Sequence, residues 1–253
     1  MSAGLKIEGR VALVTGSNRG IGLALVEALR ARGVRKVYAA ARKPEALAEL
    51  AAASQGVVVP LRLDITDAAH VQQAVAAADD VDLLINNAAV LGHAFGGFED
   101  PIWLDAARQE YETNVVGSLR VSQAFAPVLA RQGGGTIVNV ASVAGLVGMP
   151  MVLTYSSTKA ALHSLTQSTR QMLRGQGTRV VGVYPGPVDT DMAAAITIPK
   201  TSPASVAQAV LDGLEEGLEE IYPDPLAREY GDAYAVNPKG LEGLIGDVNA
   251  ALD

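Results

Sequence analysis

The 253-residue sequence contains no cysteine, which excludes disulfide bonds, cysteine-ligated zinc and a thiol nucleophile. Its three histidines, His70, His93 and His163, show no metal-ligand spacing, so no metal site is expected. No stretch approaches the roughly 20 uninterrupted apolar residues of a membrane-spanning helix, and Met1 to Arg10 carries charges where a signal peptide has an apolar core. Linkers, charge runs and low-complexity blocks are missing as well, so residues 1–253 read as one domain. Basic residues are in deficit: the formal net charge of -7 repels a nucleic-acid backbone or an anionic membrane, and neither is expected as a partner. These absences point to a cytoplasmic protein that acts on a small molecule.

What is present is a hydrophobic content of 49%, enough to build a large core without staples. Short β-branched or apolar runs alternate with amphipathic Ala/Leu-rich runs, the pattern of a parallel sheet covered by helices on both faces. The runs predict seven strands, near Val11–Thr15, Lys36–Ala40, Val57–Leu63, Leu83–Asn86, Thr136–Val140, Arg179–Tyr184 and Glu220–Tyr222. Helix starts are marked by Pro44-Glu45, by Asp67 before Ala68–Ala78 and by Ser202-Pro203 before Val206–Leu214. The longest helical patterns are Ile102–Arg131 and Tyr155–Leu173, and Lys239–Leu252 could form one more helix. Pro223 and Pro225 should cut the seventh strand short, since proline cannot donate to a sheet ladder.

Between the first strand and the helical run Leu23 to Arg32 stands Gly16-Ser17-Asn18-Arg19-Gly20-Ile21-Gly22. Glycines in a strand-to-helix turn let a pyrophosphate approach the helix N-terminus, where free N–H groups and the helix dipole favour anions. An NAD site usually carries an acidic residue at the end of the second strand, to bind the ribose 2′-hydroxyl. Here that stretch ends Ala41-Arg42-Lys43, with no carboxylate before Glu45. Arg42, Lys43 and Arg19 could instead gather around a 2′-phosphate, which favours NADP(H).

Tyr155 and Lys159 lie one turn apart on one helix face, so a phenol and an ammonium become neighbours. A nearby positive charge stabilises phenolate and can bring the proton of Tyr155 into play near neutral pH. Ser142 ends the fifth strand, at the sheet edge where ligands bind, and could hold a carbonyl oxygen or cap a turn. Asn114 sits inside a long helical run as a poor helix former and could mark a local distortion.

In this order, the glycine turn, Asp64, Asn86-Asn87-Ala88, Asn114, Ser142, the Tyr155/Lys159 pair and Pro185-Gly186 resemble the compact, single-domain branch of the short-chain dehydrogenase/reductase family over about residues 9–222. The resemblance implies a doubly wound α/β fold of Rossmann type: a seven-stranded parallel sheet between two helical layers. It implies a tetrad in which Tyr155 exchanges the proton, Ser142 positions the substrate oxygen, Lys159 binds the nicotinamide ribose and lowers the tyrosine pKa, and Asn114 anchors a relay water. It further implies adenine contacts at Asp64 and Ile65, ribose contacts at Asn87 and Ala88, and a carboxamide-side loop of Pro185, Gly186, Val188 and Thr190. Homo-oligomers, dimers or tetramers, are the family's habit.

The sequence departs from the family twice. Ala89 adds a methyl where a glycine is usual, and a polar tail from 223 replaces the usual glycine-rich ending, which puts the tetramer interface in doubt. Between Ser142 and Tyr155 lie Val143, Leu146, Val147, Met149, Met151, Val152 and Leu153 with no Arg or Lys, and His93, Phe95 and Trp103 come earlier beside them. An apolar pocket for a ketone, an aldehyde or the corresponding alcohol is therefore expected. The short Thr190–Ser202 segment predicts an open, tolerant site. Two rival readings differ in kind: a non-catalytic NADP(H) sensor, and a nucleotide-sugar epimerase or dehydratase. The intact tetrad weighs against the sensor, and the roughly 60 residues after Asp191 are too few for the second.

Overall fold

The computed structural model describes residues 4–250, with side chains through 246. Seven strands form one parallel sheet: β1 (Val11–Thr15), β2 (Lys36–Ala41), β3 (Val58–Arg62), β4 (Leu83–Asn86), β5 (Thr136–Val140), β6 (Arg179–Val183) and β7 (Glu220–Ile221), in the order β3-β2-β1-β4-β5-β6-β7. β1, β4 and β5 are buried along their whole length, as strands covered on both faces must be. The order reverses between β1 and β4, and that switch point opens a crevice at the carboxyl ends of the strands.

Helices complete three layers. α1 (Gly20–Ala31) and α7 (Pro203–Glu216) pack together on one face, where Leu25, Leu29, Val206 and Val210 join Val14 and Ile85 of the sheet in one core. α3 (Ala68–Ala77) and α5 (Ser118–Arg131) cover the other face, burying Val71, Val121 and Phe125 against Leu13, Leu84 and Ile137. α6 (Leu153–Leu173) packs on β6 beside them. The caps act as their sequence predicts: Asp67 accepts from the N–H groups of Ala69 and His70, and Ser202 accepts from Ser205.

Some boundaries differ from expectation. The Pro44 start opens a 3₁₀ turn (Pro44–Leu47) leading into the short α2 (Ala48–Ala52). The run Ile102–Arg131 is not one regular helix. α4 (Ile102–Glu110) passes through a π-type turn (Tyr111–Gly117) into α5, and Asn114 stands in that turn, the distortion its type foreshadows. β7 keeps two residues, cut by Pro223.

The tail after β7 is helical from its start. α8 (Pro225–Val236) is capped by Asp224, which accepts from Ala227, with Pro225 in the first turn. α9 (Pro238–Ala250) follows, and the rest of the expected Lys239–Leu252 helix lies outside the described residues. Leu241 and Ile245 of α9 bury against Val147 beside Met149 and Tyr230, so the tail packs on the loop that follows β5.

Candidate active site

The crevice at the switch point is a cleft of about 1600 Å³, enough for a dinucleotide with a second small molecule. Its floor is the turn after β1. Gly16 takes φ +68°, and a Cβ there would stand 2.9 Å from Ala88 Cα; one on Gly22 would stand 2.6 Å from Asn87 Nδ2. A side chain at Gly16 would push the turn away from the loop after β4, and one at Gly22 would push α1 off the Gly16 carbonyl and Asn87. Thr15 and Asn87 hold the two together: Thr15 Oγ1 accepts from Asn87 N and Ala88 N at 3.0 Å each, and Asn87 Nδ2 donates to Thr15 O at 2.9 Å.

Asn18, Arg19, Gly20 and Ile21 line the cleft with Gly16 and Gly22, and the first turn of α1 has neither a side-chain cap nor an acidic residue. Its N–H groups are left for an anion. Ser17 departs from the expectation: it is fully buried, its hydroxyl donates to Val14 O at 2.5 Å, and it does not line the cleft. The turn after β1 points it inward, where its bond to Val14 O closes the turn.

One end of the cleft is basic. Arg42 and Lys43 lie there, joined by Arg62 at the end of β3, which sequence reasoning missed although it stands at the same sheet edge. Asp64 and Ile65 line that end too. The Asp64 carboxyl sits below the usual carboxylate range: burial raises it, but hydrogen bonds from the Thr66 backbone and hydroxyl, with the charges of Arg42 and His70, lower it further. Arg19 reaches across the rim to Asp191 at 2.8 Å, between two exposed side chains. On the far wall stand Pro185, Gly186, Val188 and Thr190. Asp224, another residue the sequence did not single out, accepts from Gly186 N at 2.8 Å and so ties this wall to the start of α8.

The opposite end holds the reactive groups. Tyr155, Lys159 and Ser142 all line the cleft. Lys159 Nζ lies 5.3 Å from the centre of the Tyr155 ring and donates to Val140 O at 2.9 Å. The ammonium is buried with no carboxylate beside it, and desolvation pulls its pKa down to about 8. Tyr155 moves upward from the ordinary phenol range, first through burial and second through the negative charge of Glu110. Ser142 accepts from Ala144 N at 3.1 Å, capping the turn after β5, and its hydroxyl points to Pro185 O at 3.3 Å.

Asn114 is buried and does not line the cleft. Its Oδ1 accepts from Val90 N at 2.8 Å, and its Nδ2 donates to Val90 O at 2.9 Å and to Thr158 Oγ1 at 3.1 Å. Both amide hydrogens are taken, so the side chain fastens the loop after β4 to α6.

Beyond Tyr155 the wall is apolar, with Val143, Met149, Met151 and Val152 from the expected segment and Met192, Ile196 and Ile198 from the loop after β6. Leu146, Val147 and Leu153 do not reach it, nor do His93, Phe95 and Trp103. Trp103 is instead buried, donates to Gly97 O at 2.8 Å and stacks edgewise on His93. Leu226, Tyr230 and Ile245 of the tail add a wall the sequence pattern did not show.

With this geometry, a parallel sheet carrying a dinucleotide-sized cleft lined by a Tyr-Lys pair, the chain joins a defined class. Residues 10–200 match the family described as short chain dehydrogenase, and the chain belongs to this family of oxidoreductases. It is 39% identical over 194 residues to the sorbitol dehydrogenase of Cereibacter sphaeroides, covering 73% of each chain. It is 36% identical over 190 residues to the uncharacterized oxidoreductase YusZ of Bacillus subtilis strain 168, covering 72% of this chain and 66% of that one. Among solved structures, a short chain dehydrogenase from Burkholderia cenocepacia J2315 in complex with NADP superposes with a TM-score of 0.87, at 39% identity over 95% of this chain and 99% of that one. Among the described residues no helix is long and apolar enough to cross a membrane.

Proposed function

We propose that this protein is an NADP(H)-dependent oxidoreductase that interconverts a ketone or aldehyde and the corresponding alcohol, with Tyr155 as its acid/base and an apolar compound as its substrate. One observation carries the reading: the glycine turn, the basic end and the Tyr155-Lys159 pair face a single cleft. The residues fit the dinucleotide. The glycines of the turn after β1 line the cleft, the α1 N–H groups suit a pyrophosphate, and Arg42, Arg62 and Lys43 suit a 2′-phosphate where no carboxylate ends β2. The NADP complex of the Burkholderia relative supports the same choice.

When bound, the nicotinamide supplies or accepts the hydride. The chain's own residues handle the proton and the alignment. Burial favours the protonated Tyr155 phenol, the form that gives a proton to a carbonyl oxygen as it becomes an alcohol. Ser142 orients that oxygen with its hydroxyl, and Lys159 places its charge at the shared edge of tyrosine and dinucleotide. Asn114 acts at one remove, by fixing the wall at Val90. Asp64 and Ile65 would meet the adenine, and Asn87, Ala88 and the Pro185–Thr190 loop would line the ribose and carboxamide side. We expect a homo-oligomer, to be measured by sedimentation.

The test is a spectrophotometric screen of apolar ketones, aldehydes and secondary alcohols with NADPH or NADP+ and with NADH or NAD+, with sorbitol included because of the Cereibacter relative. Turnover of apolar carbonyls with a preference for NADPH is the expected result. Turnover confined to small charged substrates refutes the apolar pocket, and a preference for NADH refutes the cofactor assignment.

A further inference from the structure

α8 presents Leu226 and Tyr230, one turn apart, to the cleft. Its neighbouring face is fixed: Ala227 and Gly231 are buried, and a Cβ on Gly231 would stand 2.7 Å from the Tyr222 ring, so the helix has no room to turn Tyr230 away. α8 also packs on the turn Val143–Gly145 that Ser142 caps. The Tyr230 ring packs with Met149 on the cluster of Val147, Leu241 and Ile245, and Met149 N donates to Ser156 Oγ at 3.0 Å, beside Tyr155. Tyr230 therefore stands at the reactive end of the cleft.

Among the described residues, the segment from Val143 to Val152 and the tail line the cleft with apolar side chains, except that of Tyr230. Nearby, Tyr184 and Tyr222 spend their hydroxyls on His163 at 2.7 Å and on Glu220 at 3.3 Å. The Tyr230 hydroxyl has no hydrogen-bond partner among the described residues. Burial, and after it the charge of Glu229, hold this phenol further from ionisation, so it offers an O–H donor and the lone pairs of its oxygen. Solvent satisfies such a hydroxyl until a substrate displaces it, and a wholly apolar substrate then leaves it bare at a cost comparable to a lost hydrogen bond. A substrate with an oxygen at that point satisfies it, and the site discriminates against the analogue that lacks the oxygen.

We propose that Tyr230 determines substrate specificity: its hydroxyl bonds a second oxygen of the substrate, and the substrate class is a carbonyl compound, with its corresponding alcohol, that is apolar apart from one further hydroxyl, ether or carbonyl oxygen. This rests on the reading of the cleft as a site of carbonyl reduction with Tyr155 as its acid. Among the described residues, neither the segment from Val143 to Val152 nor the tail lines the cleft with an Arg or Lys, so the second group is a neutral oxygen and not a carboxylate.

The experiment uses the full-length protein as wild type and as Tyr230→Phe, which keeps the ring and removes the hydroxyl alone. kcat/KM with NADPH is measured for straight-chain methyl ketones of equal length: the unsubstituted ketone, and a set in which each methylene from the γ carbon outwards carries a hydroxyl or gives way to an ether oxygen. Wild type is expected to favour at least one oxygenated member over the unsubstituted ketone by about fivefold or more, the worth of one hydrogen bond between neutral groups. Tyr230→Phe should lower kcat/KM for that member and raise it for the unsubstituted ketone, bringing the two within about twofold of each other. A wild type that favours no oxygenated member, a preference that Tyr230→Phe leaves in place, or an equal fall for both ketones, the mark of a purely structural tyrosine, overturns the proposal. Failure of the underlying reading looks different: reduction would then survive Tyr155→Phe, while the oxygen preference and its loss in Tyr230→Phe would still be read.

Discussion

Replacing Lys159 by methionine should make the protein more stable while disabling it. The side chain is 2% exposed and its ammonium has one neutral hydrogen-bond partner, Val140 O. A shift from 10.5 to about 8 corresponds to about 3 kcal/mol of penalty on the charged form in the folded state. Methionine fills a similar volume without charge, and the lost hydrogen bond gives back about 1 kcal/mol. The net gain at pH 7 is then about 2 kcal/mol, or a rise in Tm of about 4–8 °C for a chain of this size. The sign follows from proton counting. Below pH 8 the lysine is charged in both folded and unfolded chains, and the penalty is fully present. Between about 8 and 10.5 the folded protein gives up its proton first, the unfolded chain binds more protons, and wild-type stability rises towards that of the variant. Urea denaturation of both proteins from pH 7 to pH 10 reads this directly. A Lys159→Met protein less stable than wild type at pH 7, or a gap that stays constant across the range, refutes the reasoning.

Arg42→Asp should weaken NADPH binding by at least about tenfold, through loss of a charge-assisted contact and gain of repulsion, and leave NADH binding unchanged or better; fluorescence titration with both cofactors checks it. Gly22→Ala places a methyl 2.6 Å from Asn87 Nδ2 and should lower stability by about 1–3 kcal/mol, together with a loss of NADPH affinity measurable by calorimetry. Asn114→Ala frees Val90 and Thr158 at once and should cost about 2–3 kcal/mol in urea denaturation, with the loop after β4 exchanging its amide hydrogens faster.

Much of this architecture is written in short-range pattern. The inner strands show as apolar runs because they are buried in a covered sheet, and the glycine turn shows because only glycine tolerates the approach of Ala88 and Asn87. The gathering of Gly16, Arg42, Ser142, Tyr155 and Lys159 in one cleft follows from the strand order, whereas the alternation of elements implies only a parallel sheet. Side-chain direction is harder to read. Ser17 lies within the motif yet points into the core, and Asn114, whose type marks the distorted turn, spends its amide on partners that only the folded chain brings near. Glu110 reads as one more polar residue of an amphipathic helix until α6 and the Gly92 loop bury it. The tail held a signal that went unused: Asp224-Pro225 is a helix start of the same kind as Ser202-Pro203. Which wall α8 and α9 would build depends on long-range packing against Val147.

The role of the Tyr155 hydroxyl is tested most directly by measuring kcat/KM for carbonyl reduction with NADPH in wild type and in Tyr155→Phe, alongside the NADPH dissociation constant of each. A general acid of this kind contributes about 10²–10⁴-fold, so the account predicts a fall of at least about a hundredfold with NADPH binding kept within a few-fold. A variant that binds NADPH normally and reduces carbonyls at close to the wild-type rate contradicts it.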